Sequence, residues 1–171
     1  MRCNLFKFVF MKTVLIIRHA KSSWGGIGQK DFERPLDTSG ETDAATMALK
    51  IFNKNIPIDL LLSSTANRAA TTCLYFAAVN NIHHSQIVFL DKLYNAPEYI
   101  FTDVIAALDN TKNTIAIFAH NPGITEYVST LCSNVEFYDM PPCGIFAVSA
   151  KVDSWVNFEN AEKEFLFFEQ P

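Results

Sequence analysis

The sequence predicts an α/β fold: a three-layer α/β/α sandwich around a mostly parallel central sheet. Short, apolar, β-branched runs recur along the chain, and stretches of helical length separate them. Strands that alternate with helices form parallel sheets with crossover connections. The 171 residues, of which 49% are hydrophobic and 19% charged, suit one domain with a sizeable core.

Six strands are expected along the chain. The first four are runs of consecutive apolar residues, the pattern of strands buried on both faces of a sheet. They cover residues 12–17, 59–62, 86–90 and 114–119. Two further strands, 144–150 and 163–169, are joined by a longer connection through Trp155 and are expected to form a terminal antiparallel hairpin.

Four helices are expected between these strands, each after a turn or a strand end. They cover residues 39–53, 65–79, 96–108 and 125–132. No repeat, low-complexity segment or linker interrupts the sequence, so residues 12–171 are expected to form a single domain behind an N-terminal extension, residues 1–11. Met11 directly precedes the first strand, so we expect the true start to be either Met1 or Met11.

Composition argues against several classes of protein. No apolar run approaches the roughly 20 residues of a membrane span, and residues 1–10 lack the apolar stretch and cleavage site of a signal peptide. With a net charge of −4 and no run of Lys or Arg, nucleic acid is a poor partner. The four cysteines form no C-x-x-C pair, so we expect buried thiols in a reducing compartment, the cytoplasm.

Polar residues that follow three of the predicted strands carry the chemistry. Arg18 and His19 end the first strand, Arg68 lies soon after the second, and His120 follows the fourth. Ligands of open parallel sheets bind outside the carboxyl ends of the strands. Two arginines and two histidines converging there repel one another unless an anion binds. Phosphate fits best, because the planar fork of Arg matches phosphoryl oxygens and Arg68 lies in the first turn of a helix.

Several segments around these residues resemble the motifs of the histidine phosphatase superfamily and follow one another in that family's order. They are L-I-I-R-H-A-K-S-S-W (15–24), D-F-E-R-P-L-D-T-S-G (31–40), S-S-T-A-N-R-A-A-T-T (63–72), L-Y-N-A-P-E (93–98) and F-A-H-N-P-G (118–123). The resemblance covers about residues 12–150 and is closest to the SixA-type phosphohistidine phosphatase branch. It implies a phosphoglycerate mutase-like fold and a phosphatase activity.

The resemblance also implies roles for individual residues. His19 is the nucleophile, Arg18, Arg68 and His120 bind the phosphoryl oxygens, and Arg34 of the R-P-L segment lies near the site as a further phosphate-binding residue. Neutral imidazole can attack phosphorus in line while the cationic residues offset the charge on its oxygens. Such chemistry needs neither a metal nor a cofactor. Water then cleaves the phosphohistidine intermediate of the enzyme.

The predicted substrate is phosphohistidine in a protein. A phosphate monoester needs a proton on its leaving oxygen, and the candidate acids Asp31, Asp37 and Glu98 are better explained as caps or surface charges. A phosphoramidate has a labile P–N bond and a nitrogen that accepts a proton easily. The chain is also too short for a large lid, so the site should be shallow and suited to a phosphorylated side chain on another protein.

Two alternatives remain open on the sequence alone. The chain could be a small-molecule phosphomonoesterase with Glu98 or Asp37 as the acid, or a module that binds phosphate without turnover. A zinc site at the adjacent His83 and His84 is disfavoured, because no Cys or carboxylate lies at ligand spacing from them.

Overall fold

Six strands form one sheet in the computed structural model, which describes residues 10–24, 28–132 and 137–171. The strands are β1 (Lys12–Arg18), β2 (Leu60–Ser63), β3 (Ile87–Phe89), β4 (Thr114–Ala119), β5 (Ile145–Ala150) and β6 (Lys163–Glu169). Their order across the sheet is β3-β2-β4-β1-β5-β6. The pairs β2·β3, β2·β4 and β1·β4 are parallel, whereas β5 runs antiparallel to β1 and β6. The predicted mostly parallel sheet and its antiparallel end are confirmed.

All four predicted helices are present. They are α1 (Thr38–Asn53), α2 (Asn67–Val79), α3 (Glu98–Ala106) and α4 (Gly123–Leu131). Short 3₁₀ helices lie at Asp31–Glu33, His84–Gln86, Asp91–Leu93 and Trp155–Asn157. Helix α1 begins after Asp37, whose carboxylate accepts the Gly40 N–H at 2.7 Å. Helix α4 begins two residues earlier than predicted, at Gly123.

The core has two halves, one on each face of the sheet. Val14 and Ile16 of β1 pack in the half that α3 and α4 cover. Leu15 and Ile17 point the other way, into the half that α1 and α2 cover. Because successive side chains of a strand alternate between faces, a continuous apolar run buries both. The predicted three-layer arrangement is confirmed.

Strand register brings the polar segments together. Arg18 of β1 lies opposite Ala119 of β4, so the residues that follow these two strands, His19 and His120, leave the sheet side by side. Ser63 of β2 lies opposite Phe118, and the N–H of Ser64 donates to the Phe118 carbonyl at 2.9 Å. The carboxyl ends of β1, β2 and β4 therefore meet at one edge.

Two glycines let helices approach this edge closely. A Cβ on Gly40 of α1 would lie 2.0 Å from the carbonyl oxygen of Lys21, and one on Gly123 of α4 would lie 1.8 Å from that of Ala96. Neither contact can be relieved by moving a side chain, because both neighbours are backbone atoms. Helices α1 and α4 thus pack directly on the loops that border the edge.

Some predictions fall partly outside the described residues. Of the predicted extension 1–11, residues 1–9 lie outside them, and so does Cys3. Cys73, Cys132 and Cys143 are buried and free, as predicted. Within the described residues no helix combines the length and apolar character needed to cross a membrane.

Candidate active site

A cavity of about 290 Å³ opens where β1, β2 and β4 end. Its lining residues are Arg18, His19, Lys21, Ser22, Arg34, Arg68, Asn95, His120, Asn121 and Pro142. All five residues predicted for the site are among them. In the part of the chain that the structure describes, no carboxylate lines this cavity and no three His, Cys, Asp or Glu side chains cluster as metal ligands.

His19 is held in one tautomer by its two hydrogen bonds. Nδ1 lies 2.8 Å from the carbonyl oxygen of Ala20, which can only accept, so Nδ1 carries the ring proton. Nε2 lies 3.2 Å from Nε of Arg68, which can only donate, so Nε2 presents its lone pair. The nitrogen free of hydrogen is therefore the one that faces Arg68 at the cavity.

The surroundings of His19 favour its neutral form. Burial, together with the positive charges of Arg68, Arg18 and Arg34, lowers the pKa of His19 to about 4, and the hydrogen bond to Ala20 acts in the opposite direction. An imidazole with this pKa is unprotonated at neutral pH. It can therefore act as a nucleophile.

Arg68 is almost completely buried, with 4% of its surface exposed. It lies in the first turn of α2, and its three nitrogens have separate partners. Nε donates to His19, while Nη1 donates to the backbone oxygen of Asp31 at 2.7 Å and Nη2 to its carboxylate at 3.0 Å. One N–H on each of Nη1 and Nη2 remains for a ligand.

His120 is fixed by the hydroxyl of Ser64. Its Nε2 lies 2.8 Å from Oγ of Ser64, which also accepts the N–H of Ala66 at 3.2 Å. This arrangement favours donation by the Ser64 hydroxyl to Nε2, which places the ring proton on Nδ1. Nδ1 is buried and has no partner among the described residues. Burial lowers the pKa of His120 to about 3, together with the proximity of His19 and the positive charge of Arg68, so the ring is a neutral donor.

Arg18 also carries a donor that lacks a partner. Its Nη1 donates to the carbonyl oxygen of Met140 at 2.6 Å, which fixes the guanidinium, and its buried Nε has no partner among the described residues. Burial lowers the pKa of Arg18, and the charge of Asp139 acts against it. Buried donors are normally satisfied, so Nε of Arg18 and Nδ1 of His120 suit oxygens of a bound anion.

Arg34 lies at the mouth of the cavity with most of its donors in use. Nε donates to the carbonyl oxygen of Ser23 at 3.2 Å, and Nη2 donates to Oγ of Ser22 at 2.8 Å. Nη1 donates to Asp31 at 3.0 Å, and the guanidinium stacks 3.9 Å from the ring centre of Trp24. Arg34 therefore holds the loop after β1 together, and its predicted phosphate-binding role stays a prediction.

None of the three candidate acids is placed to donate a proton in the cavity. Burial raises the pKa of Asp31, but hydrogen bonds from Tyr94, Arg34 and Arg68 lower it well below its usual range. Asp37 caps α1, and Glu98 is an exposed residue at the start of α3. Asp31 thus stays ionised, and the other two carboxylates lie away from the lining.

Sequence reasoning missed several residues of the site. Lys21, Ser22 and Asn95 line the cavity, and they belong to the L-I-I-R-H-A-K-S-S-W and L-Y-N-A-P-E segments, so closeness to those motifs was the available signal. Thr72 accepts the Ala20 N–H at 3.0 Å and donates to the Arg68 carbonyl at 2.7 Å, inside the S-S-T-A-N-R-A-A-T-T segment. No pattern of residue types in the sequence indicated that Thr72 connects Ala20 to Arg68.

Comparisons with known proteins agree with this architecture. The model of the histidine phosphatase superfamily (branch 1) matches residues 14–94. An uncharacterized chloroplastic protein of Arabidopsis thaliana is 26% identical over 152 residues, which are 84% of this chain and 69% of that protein.

Two solved structures share the fold over almost their whole length. SixA from Agrobacterium tumefaciens gives a TM-score of 0.80 at 24% identity, covering 94% of this chain and 98% of that one. The protein histidine phosphatase SixA in complex with tungstate gives 0.78 at 21% identity, covering 92% and 96%. The predicted phosphoglycerate mutase-like fold is confirmed.

Proposed function

We propose that the chain is a member of the histidine phosphatase superfamily, whose model matches residues 14–94, and that it is a metal-independent phosphatase that removes phosphate from phosphohistidine in proteins. The observation that carries the proposal is the state of His19. A half-buried, neutral imidazole presents Nε2 to a cavity whose lining also includes three arginines and a second neutral histidine. A phosphoryl group is the ligand that this combination of nucleophile and donors suits.

The proposed reaction has two steps. Nε2 of His19 attacks phosphorus in line and a new P–N bond forms. The bond from phosphorus to the substrate nitrogen breaks with its electron pair going to that nitrogen, which takes a proton from water. As Nε2 uses its lone pair to form the new P–N bond, the Nε–H group of Arg68 loses its acceptor and donates a hydrogen bond to a phosphoryl oxygen instead. Water then attacks phosphorus and the P–Nε2 bond breaks with its electron pair returning to Nε2, which leaves His19 neutral. The proton given up by the water passes to solvent or to the released inorganic phosphate.

Three groups stabilise the charge on the phosphoryl oxygens in this proposal. Arg68 contributes its two remaining N–H groups, Arg18 its unpaired Nε, and His120 its Nδ1. These donors are fixed before the ligand arrives, by Asp31, Met140 and Ser64 respectively. Fixed donors lose little free energy to reorganisation when charge develops on the oxygens.

The absence of an acid supports the N-phosphorylated substrate. In the described part of the chain no carboxylate lines the cavity, and Asp31 stays ionised. An alkoxide leaving group needs a proton from such an acid, whereas an imidazole nitrogen can take its proton from water. The fold likeness to a protein histidine phosphatase supports the same substrate.

The proposal is tested with a His19→Ala variant and a matched His84→Ala variant. Each is assayed on a phosphohistidine protein, a phosphoserine protein and a small sugar phosphate. We expect turnover of the phosphohistidine protein by the parent and by His84→Ala, because His84 is exposed and far from the cavity lining, and none by His19→Ala. Preferred turnover of the sugar phosphate would indicate the phosphomonoesterase instead. Equal turnover by His19→Ala and the parent would contradict the nucleophile.

A reducing compartment such as the cytoplasm is proposed for the protein. Cys73, Cys132 and Cys143 are buried free thiols, which persist where disulfides do not form. The name of the Arabidopsis relative assigns that protein to the chloroplast. Fractionation of the native cells tests the proposal, and recovery from an oxidising compartment would contradict it.

A further inference from the structure

We infer that Asp31 is a positioning residue: it holds the Arg68 guanidinium so that Nε faces the nucleophilic nitrogen of His19. The inference rests on the proposed function, because it gives Asp31 a part in that reaction without contact with the phosphoryl group. Asp31 is not among the residues that line the cavity. Any effect on the reaction is therefore indirect, and we assign it to Arg68, because Arg68 is the partner of Asp31 that donates to His19.

The contact between Asp31 and Arg68 has two points. Nη1 of Arg68 donates to the backbone oxygen of Asp31 at 2.7 Å, and Nη2 donates to carboxylate oxygen Oδ2 at 3.0 Å. A guanidinium is planar and rigid, so two fixed nitrogens determine the direction of the third. That third nitrogen, Nε, is the one that lies 3.2 Å from Nε2 of His19.

Asp31 is itself fixed on two further sides. Its Oδ1 accepts from Nη1 of Arg34 at 3.0 Å, and its Oδ2 accepts from the hydroxyl of Tyr94 at 2.7 Å. The Tyr94 ring packs edge-on against Phe32 at 5.2 Å and against His120 at 5.5 Å between ring centres. A carboxylate held by these partners cannot rotate away from Arg68 without breaking charge-assisted hydrogen bonds.

Charge gives Asp31 its second effect on Arg68. Arg68 is almost fully buried, and a buried guanidinium without a counter-ion is costly. The carboxylate of Asp31 supplies that counter-ion from the side away from the cavity lining. Arg68 can therefore stay buried and oriented before a ligand enters, with one N–H on each of Nη1 and Nη2 left for the phosphoryl group.

The test compares Asp31→Asn with Glu33→Gln. Both changes remove one carboxylate from the same 3₁₀ helix, but the Glu33 side chain is exposed and outside the cavity lining. For Asp31→Asn we expect kcat on the phosphohistidine protein to fall about 10- to 100-fold, the loss typical of a misplaced catalytic group. In the same variant the Kd for inorganic phosphate should stay within about threefold of the parent's value. The poorer orientation of Arg68 is offset because removal of a negative charge strengthens the attraction for phosphate. Glu33→Gln should match the parent in both measurements.

A second readout does not depend on turnover. The 15N resonance of His19 Nε2 should move toward that of a free imidazole nitrogen in Asp31→Asn, because Arg68 is then held only through Nη1, at the backbone oxygen of residue 31, and its hydrogen bond to Nε2 weakens. The resonance should not move in Glu33→Gln. An unchanged resonance overturns the inference even if the parent proves inactive, whereas an inactive parent with a shifted resonance overturns only the proposed function. Loss of kcat and phosphate binding together would indicate a collapsed site and also overturns the inference.

Tyr94→Phe provides a milder variant that keeps the ring packing. It removes the hydroxyl that donates to Asp31 and leaves the contacts of Arg34 and Arg68 in place. We expect a loss in kcat in the same direction but smaller, about threefold, as for one hydrogen bond of modest net strength. A larger loss of kcat in Tyr94→Phe than in Asp31→Asn would contradict the inference that Tyr94 acts on the reaction through Asp31.

Discussion

Oγ of Ser64 lies 2.8 Å from Nε2 of His120, so a serine just after β2 selects the tautomer of a histidine just after β4. The Ser64 hydroxyl occupies Nε2 and leaves Nδ1 as the donor of the ring. The two residues belong to segments 56 positions apart in the chain. The donor pattern of the candidate site thus depends on the pairing of two strands.

Replacing Ser64 by Ala should weaken phosphate binding. The neutral His120 ring then has no partner at Nε2, and its proton can move to that nitrogen, which leaves Nδ1 unable to donate. The Kd for inorganic phosphate, measured by calorimetry, should rise about three- to tenfold, the equivalent of one hydrogen bond. Ser63→Ala is the matched control, because Ser63 is equally buried and its hydroxyl donates to the Ser64 carbonyl at 2.9 Å. An equal effect in the two variants would contradict the tautomer assignment.

The His19 imidazole should stay neutral well below the range in which a free histidine takes up a proton. Burial lowers the pKa of His19 to about 4, whereas a free histidine titrates near about 6.5. Protonation occupies Nε2, so the nucleophile is present above about pH 4 and is lost as the pH falls through that value. NMR titration of the 15N resonances, assigned with the His19→Ala variant, checks this. A midpoint above about pH 6 would contradict it.

The same shift predicts a pH-dependent stability. In the unfolded chain His19 binds a proton below about pH 6.5, but in the folded chain only below about pH 4. The unfolded state therefore binds more protons between these values, and stability should fall as the pH is lowered through that window. Urea unfolding at several pH values measures this, and the decline should be shallower in His19→Ala.

Thr72→Val should disturb His19 through the backbone of Ala20. Thr72 Oγ1 accepts the N–H of Ala20, whose carbonyl fixes the His19 tautomer. Valine leaves that buried N–H unpaired, which should cost about 1–3 kcal/mol in the free energy of unfolding and lower kcat. Thr72→Ser keeps the hydroxyl and should keep kcat, although it loses a buried methyl group. Equal kcat in the valine and serine variants would rule out this hydrogen bond as a support of His19.

Gly40→Ala should destabilise the protein and distort the cavity wall. Its Cβ would lie 2.0 Å from the carbonyl oxygen of Lys21, so α1 or the loop after β1 must shift. The free energy of unfolding should fall by about 1–3 kcal/mol, as in overpacked cores, and phosphate binding should weaken. Thr42→Ala, at an exposed position of the same helix, should stay within about 0.5 kcal/mol. Matching effects in both variants would show that the close approach is unimportant.

The fold could be predicted because its signals are local. Continuous apolar runs marked the first four strands, and β4 and β6 begin and end as predicted. The observed starts of two helices differ from the predicted ones, because particular residues fix the backbone just before each helix. The predicted start of α2 at Thr65 moves to Asn67, because the Ser64 hydroxyl accepts the Ala66 N–H and keeps that residue extended. The predicted start of α3 moves to Glu98, since Pro97 occupies the N-cap.

The site was predictable only in part. His19, Arg18, Arg68 and His120 follow strands whose carboxyl ends meet, and the structure brings them together at one cavity. Their catalytic roles stay predictions. The groups that orient them could not be inferred, because a contact such as that of Arg18 with the Met140 carbonyl joins residues 122 positions apart and involves a backbone atom. No residue type marks such a partner.

Strand register has a consequence for how the protein acquires activity. His19, Arg68 and His120 are supplied by three chain segments, and 49 residues separate the first two. None of these segments can form the cavity alone, so a refolding chain regains turnover only after its three central strands have docked. Such non-local pairing is slow compared with helix formation. During refolding, phosphatase activity should therefore return only when the sheet is complete. Its return should be later than that of the helical signal in circular dichroism.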